Sequence, residues 1–140
     1  MSKKGYLLDT HILTWILFDD KRLNKNVKES VEYFQHSYYV SVASLHEYVH
    51  LMDRKKISVI GGITTIISQI EDRQLFLLDI KPHHIKLLEK LSTPFIGDEP
   101  HKDHFDRIII SQGIAEGLTV ISADTVFPKY HDKGFKLLEV

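Results

Sequence analysis

Apolar residues fall along this chain in two alternating patterns: short contiguous runs, and longer stretches where they recur every three or four positions, as strands and helices require. Tyr6-Leu7-Leu8 is a run closed by Asp9; Ile12, Leu13, Ile16 and Leu17 then follow at helical spacing, with Thr10 as the expected N-cap. A second helix is predicted over 24–35, with Val27, Val31 and Phe34 as its apolar stripe, and Tyr38-Tyr39-Val40-Ser41 reads as a strand. Ser44 is expected to cap a third helix that turns Leu45, Val49 and Met52 to the core and ends at Arg54-Lys55-Lys56. Gly61-Gly62 interrupts the chain before a helix over 63–71, a strand over 75–80, and a helix opened by Pro82 that runs to Leu91. The stretch 92–102, with Pro94, Gly97 and Pro100, reads as loop. It leads to a helix from Asp103 to Glu116 closed by Gly117, a strand over 118–122, a short helical turn near 126–130 and a last strand over 136–140.

Strands alternating with helices predict an α/β fold: one domain over residues 1–140, in three layers, with a mainly parallel central sheet. At 140 residues, 43% of them hydrophobic, the chain has enough apolar material for such a core. The longest apolar runs, 75–78 and 108–110, are too short to cross a bilayer, and the start Met1-Ser2-Lys3-Lys4-Gly5-Tyr6 has no apolar leader. A cytoplasmic protein with no membrane association is therefore expected. The absence of cysteine excludes disulfides, thiol nucleophiles and thiolate zinc sites, so any metal must be held by carboxylate or imidazole. There is no Gly-rich phosphate loop and no G-x-S-x-G elbow, which removes the usual supports for nucleotide hydrolysis and esterase chemistry.

The net charge of −1, from 18 Lys+Arg against 19 Asp+Glu, argues against a basic coat that binds nucleic acid by charge alone. The acids, however, are placed unevenly. Ligands of a parallel sheet bind beyond the carboxyl ends of its strands, where strand order reverses. Asp9 closes the first strand, and Asp124 follows the strand ending at Ser122. Asp106 lies in the first turn of its helix, three residues after Asp103, and Glu47 lies one turn after Ser44. Each has a simpler use: Asp9 as a cap, Asp103 or Asp106 as a first-turn acid, Glu47 as a solvated helix residue, Asp124 as a turn acid. Together they offer three or four carboxylates to a single pocket. Such a cluster is tolerable mainly if a cation sits among the acids or some take up protons. Oxygen-only ligands favour Mg²⁺ or Mn²⁺, and the chemistry that follows is phosphodiester hydrolysis.

The residues that carry this pattern have a family likeness. Tyr6-Leu7-Leu8-Asp9-Thr10-His11, Ser41-Val42-Ala43-Ser44-Leu45-His46-Glu47, His101-Lys102-Asp103-His104-Phe105-Asp106-Arg107 and Val120-Ile121-Ser122-Ala123-Asp124 resemble the PIN-domain family, especially the VapC-like toxins of bacterial toxin–antitoxin pairs. The likeness spans nearly the whole chain, and Asp-x-Phe-Asp-Arg is its most specific part. It implies a Rossmann-like α/β/α sandwich and an endoribonuclease that uses Mg²⁺ or Mn²⁺. It also implies metal binding by Asp9, Glu47 and Asp106, with Asp124 as fourth acid, Asp103 as an extra one, and Thr10 and Ser122 as small hydroxyl residues beside the site. A homodimer and a small antitoxin whose tail blocks the acidic cleft are implied as partners, alongside the RNA substrate. One departure is visible: His104 stands where many relatives have proline, which leaves the helix start less rigidly defined.

Other readings compete. A nuclease of this family that processes RNA without being a toxin would carry the same residues, and a non-enzymatic binding module can share the fold. His46-Glu47-Tyr48-Val49-His50 matches the H-E-x-x-H pattern of zinc proteases, but no His-x-x-Gly-x-x-His continuation follows, and a third ligand would have to come from a distance, such as Glu71. Arg107 can pair with a neighbouring acid, the favoured use, or contact substrate phosphate. Lys21-Arg22, Lys25, Lys28 and Arg54-Lys55-Lys56 are candidates to guide RNA, or simply solvated helix faces. Trp15 and Phe18 suit core or interface better than base stacking. Setting aside Asp9, Glu47, Asp106 and Asp124 leaves 18 basic against 15 acidic residues, so the near-neutral total averages over two unlike surfaces.

Overall fold

The structure, a computed structural model, describes residues 4–140; Met1-Ser2-Lys3, part of the start read above as lacking a leader, lie outside them. The elements in chain order are β1 (Gly5–Leu8), α1 (Thr10–Leu17), α2 (Lys25–Glu32), β2 (Ser37–Ser41), α3 (Val42–Asp53), α4 (Gly62–Asp72), β3 (Phe76–Leu78) and α5 (Pro82–Lys90). A small hairpin, β4 (Phe95–Ile96) and β5 (Glu99–Pro100), follows, then α6 (His104–Glu116), β6 (Thr119–Ser122), a 3-10 turn (Phe127–Lys129) and β7 (Lys136–Glu139).

Five strands form one parallel sheet in the order β3-β2-β1-β6-β7, so the chain winds outward from β1 first on one side and later on the other. The order therefore reverses between β1 and β6, and the crevice beyond their carboxyl ends is the place such a sheet offers to a ligand. Neighbouring residues point to opposite faces. Leu8, Val40 and Ile121, in register, join one core with Ile12, Leu13, Ile16, Tyr48, Ile66 and Ile70; Leu7 and Val120 join the other with Ile109, Ile110 and Phe127. Each fully buried aliphatic side chain of these two cores contributes roughly 2 kcal/mol of burial. The two cores on either side of one parallel sheet are the expected three layers.

Several local expectations shift, each for a physical reason. Asp9, not Thr10, caps α1: its Oδ1 accepts the Ile12 N–H at 2.8 Å. Ser41, not Ser44, caps α3, accepting from the Ala43 N–H at 3.0 Å, so that helix starts directly where β2 ends. On α3 Tyr48 rather than Val49 faces the core and Val49 is exposed; Leu45 and Met52 are partly buried as expected. α2 stops at Glu32 because Phe34 adopts a left-handed φ of 52°, and Phe34 is exposed rather than part of the stripe. β3 is only three residues long, at the sheet edge, and the Gln112 side chain donates to the Leu78 and Asp79 carbonyls just where the strand gives out. Within 92–102, read as loop, lies the β4–β5 hairpin. α6 approaches the sheet closely at Gly113, where a Cβ would stand 2.7 Å from Val120 Cγ2, and it ends as expected on Gly117 with φ of 67°. Among the described residues no helix is long and apolar enough to cross a membrane.

Candidate active site

Four elements converge on the β1–β6 crevice. Asp9 leaves the end of β1 and is 1% exposed although it caps a helix. Its second oxygen accepts from Ser122 Oγ at 2.5 Å, and the Ser122 oxygen in turn accepts the Asp124 N–H at 3.0 Å. One hydroxyl at the end of β6 thus ties Asp9 to the backbone of Asp124. Asp124 also serves its own turn, accepting the Val126 N–H at 2.9 Å. Thr10 Oγ1 shares a 2.9 Å hydrogen bond with Ser44 Oγ, which joins the start of α1 to the first turn of α3. One turn on, Glu47 presents a carboxyl whose Oε1 is buried without a hydrogen-bond partner among the described residues.

Helix α6 brings the remaining acids. Asp103 is its N-cap, accepting the N–H groups of Phe105 and Asp106 at 3.0 Å, so His104 in place of proline costs the helix no definition. Asp106, in the first turn, faces the others. Burial, and then the charges of Asp103, Asp124, Glu47 and Asp9, push its pKa up to about 8. Burial also raises the pKa of Asp9, offset by the hydrogen bonds from Ser122 and Ile12. Glu47 is raised chiefly by burial and further by Asp103 and Asp9, with the Thr10 hydroxyl pulling it back. Asp106 thus feels the other four acids singled out in the sequence, Glu47 feels Asp103 and Asp9, and Asp9 feels Asp124. They are not drawn into tight contact: among the described residues, no three of them bring ligand atoms within 4.8 Å of one another.

The residues named for other tasks sort differently. Arg107 pairs with no acid within 4 Å among the described residues; its guanidinium donates to the Tyr130 hydroxyl and the Ser92 carbonyl, each at 2.9 Å. His46 and His50 flank Phe105 of α6, with ring centroids 5.3 and 6.0 Å away, while Glu47 senses Thr10, Asp9 and Asp103. The H-E-x-x-H pattern is thus divided between a helix contact and the acidic crevice, and it forms no three-ligand group with Glu71. Of the basic candidates, Arg22 is paired with Asp20 at 2.8 Å, Lys28 with Asp19 at 2.9 Å and Lys25 with Glu29 at 3.9 Å. Arg54-Lys55-Lys56 are exposed at the end of α3. Trp15 is partly buried under the Arg22 guanidinium and lines a shallow depression with His11, Ala123 and Asp124, while Phe18 is exposed.

Two features escape sequence reasoning. One is His101, buried beside Asp106 with Nε2 3.2 Å from Oδ2; only its place two residues before Asp103 hinted at it. The other is a group at the far end of α6, where His83, His84 and Glu116 gather ligand atoms within 4.8 Å. Hydrogen bonding argues against a metal there. His84 Nδ1 accepts the Lys81 N–H at 2.9 Å, so the neutral ring carries its proton on Nε2 and donates it to Glu116 at 3.0 Å. A cation on Nε2 would require a proton on Nδ1, pointed at another N–H.

Comparison with known proteins adds to this geometry. The PIN domain family model matches residues 6–133. No curated protein matches the sequence significantly. Among solved structures, VapBC2 from Rickettsia felis bound to a DNA fragment from its promoter is similar, with a TM-score of 0.69 at 16% identity over 97% of this chain and 98% of that one. DNA-bound VapBC from Salmonella typhimurium gives 0.68 at 15% identity over 99% and 98%. The PIN domain endonuclease Utp24 gives 0.54 at 13% identity over 97% and 84%. At such identities these likenesses speak for the fold.

Proposed function

This chain belongs to the PIN domain family, a family of nucleases, and from that premise we propose that it is an Mg²⁺- or Mn²⁺-dependent endoribonuclease acting through Asp9, Glu47, Asp106 and Asp124. The observation that carries the reading is the crevice itself: acids from four elements at the reversal of strand order, with the Asp106 pKa pushed up to about 8 and one Glu47 oxygen buried and unpartnered among the described residues. The donor set fits the cation. It is all oxygen, and it has an electrostatic need for positive charge.

Asp9, Glu47 and Asp106 would hold the ion, and Asp124 and Asp103 would complete its surroundings or hold a second. When bound, such an ion acidifies coordinated water and offsets charge on a phosphate oxygen. The chain's own residues do the positioning. Ser122 fixes one Asp9 oxygen, Ile12 N–H fixes the other, and the Thr10–Ser44 pair holds α1 against α3 so that Asp9 and Glu47 face the same space. Water attacks phosphorus, the bond to the 3′ oxygen breaks, and a 5′-phosphate and a 3′-hydroxyl remain. Arg54-Lys55-Lys56 and Lys21, outside the crevice, are left to attract the RNA backbone.

The toxin of a toxin–antitoxin pair is the setting the motifs favour, in one cytoplasmic domain over 1–140 that pairs with a second copy and with an antitoxin whose tail occupies the crevice. Likeness to two VapBC complexes over nearly the full length of both chains supports it. Incubation of the purified protein with total RNA tests the chemistry: cleavage stops on chelation with EDTA and returns with Mn²⁺. Activity indifferent to EDTA refutes it. Expression should arrest growth, with relief by the protein of the adjacent gene; growth without arrest makes it an RNA-processing nuclease instead.

A further inference from the structure

Behind Asp106 runs a chain of hydrogen bonds that none of the acids supplies. Arg107 donates to the Tyr130 hydroxyl at 2.9 Å, and Tyr130 lies 2.7 Å from His101 Nδ1. A guanidinium only donates, so with Arg107 on one lone pair of the phenol oxygen the phenol proton is free to turn toward the imidazole. His101 Nδ1 then accepts, the neutral ring keeps its proton on Nε2, and Nε2 donates to Asp106 Oδ2 at 3.2 Å. Every donor points toward the carboxylate. His101 is 6% exposed and Tyr130 is 3% exposed, so neither can exchange these partners for water. The backbone delivers them as well. The His101 N–H bonds the Pro94 carbonyl at 2.8 Å across the β4–β5 hairpin, and Arg107 pins the entry to that hairpin through the Ser92 carbonyl. The hairpin is the device that carries an imidazole from outside α6 to a residue on its first turn.

We propose that His101 is a positioning residue for the metal centre: set by Tyr130 and Arg107, it holds Asp106 Oδ2 by hydrogen bond and leaves Oδ1 for the cation. This deepens the nuclease reading and rests on it. Partners that orient a metal-ligating carboxylate matter about 10- to 100-fold in metal affinity. A residue that merely filled space would not affect that quantity in the folded protein.

The test is Mn²⁺ affinity by calorimetry at one pH, with the melting temperature of the metal-free protein measured alongside. His101→Ala is expected to weaken Mn²⁺ binding about 10- to 100-fold. His101→Gln, whose amide keeps an N–H for Asp106 and an oxygen for Tyr130, should recover most of it. Tyr130→Phe, which frees the imidazole tautomer, should fall between the two. Wild-type affinity in His101→Ala overturns the proposal; if that variant does not fold, wild-type affinity in Tyr130→Phe overturns it equally. The two levels separate cleanly. A wild-type protein that binds no Mn²⁺, or an Asp106→Asn variant that binds it unchanged, removes the metal site and this inference with it. Binding lost in Asp106→Asn but kept in His101→Ala and Tyr130→Phe removes the inference alone.

Discussion

Helix α6 has a carboxylate against histidine at each end, Asp106 beside His101 and, about 15 Å away along the axis at 1.5 Å per residue, Glu116 beside His83 and His84. The Glu116 carboxyl is held below its ordinary value by hydrogen bonds from His83 and His84. The Asp106 carboxyl is pushed up to about 8, because it is more deeply buried and four further acids face it. One end is a closed set of hydrogen bonds clasping α5 to α6. The other gathers acids whose mutual repulsion the metal-free fold meets by keeping a proton on Asp106. Acids held in that arrangement by hydrogen bonds at Asp9 and Asp103 fit the proposed function, in which a cation would take the place of the proton.

The place between the two ends where α6 meets the sheet gives the largest effect on stability. Gly113→Ala places a Cβ 2.7 Å from Val120 Cγ2, so either the buried Val120 side chain or α6 itself must give way. Overpacking of that kind costs about 2 kcal/mol, and the melting temperature should fall by about 8 °C in calorimetry. An unchanged melting temperature would mean that α6 is not held rigidly between its ends.

Next comes the acidic end by itself. The folded Asp106 carboxyl keeps its proton up to about pH 8, whereas an unfolded aspartate loses it near pH 3.8. Between these values the folded state binds more protons, so Asp106 takes away stability as pH rises through that window. Asp106→Asn should therefore raise the melting temperature of the metal-free protein by about 5 °C near pH 8 and by much less near pH 5. A variant less stable than wild type at pH 8 would contradict the raised pKa assigned to this end.

The clasped end should behave in the opposite sense, and more weakly because Glu116 is exposed. Its lowered pKa contributes stability above the ordinary glutamate value, lost as pH falls through the folded one. Glu116→Gln should lower the melting temperature by about 2 °C at neutral pH and leave it unchanged in strong acid. A larger loss at acid pH than at neutral pH would reverse the comparison.

How much of this was readable in the chain follows the range of each interaction. Asp9, Asp103 and Asp106 are legible in place because strand ends and helix starts are local features, though Asp103 is the cap rather than the first-turn acid expected, and the layer order follows from alternating periodicities. The cap of α3 is ambiguous in the sequence because Ser41 and Ser44 lie three residues apart and either can begin a helix there; tertiary contact decides, since Ser44 bonds Thr10, 34 residues earlier in the chain. Tyr48 takes the buried place expected of Val49 because its hydroxyl finds Thr14 Oγ1 at 2.7 Å, a partner 34 residues away. Tyr130 and His101 are 29 residues apart and meet only through the β4–β5 hairpin, whose two-residue strands leave almost no periodic trace in a stretch full of proline and glycine. The pairing of Arg22, Lys25 and Lys28 with nearby acids was also invisible to residue type alone.

Whether the acidic end of α6 is a nuclease site is tested most directly by cleavage of RNA in Mn²⁺ by wild type, Asp9→Asn and Asp106→Asn, with circular dichroism of each protein as the control for folding. Loss of activity in both folded variants, by about three orders of magnitude, is the expected result. Cleavage that persists in both would contradict the nuclease reading.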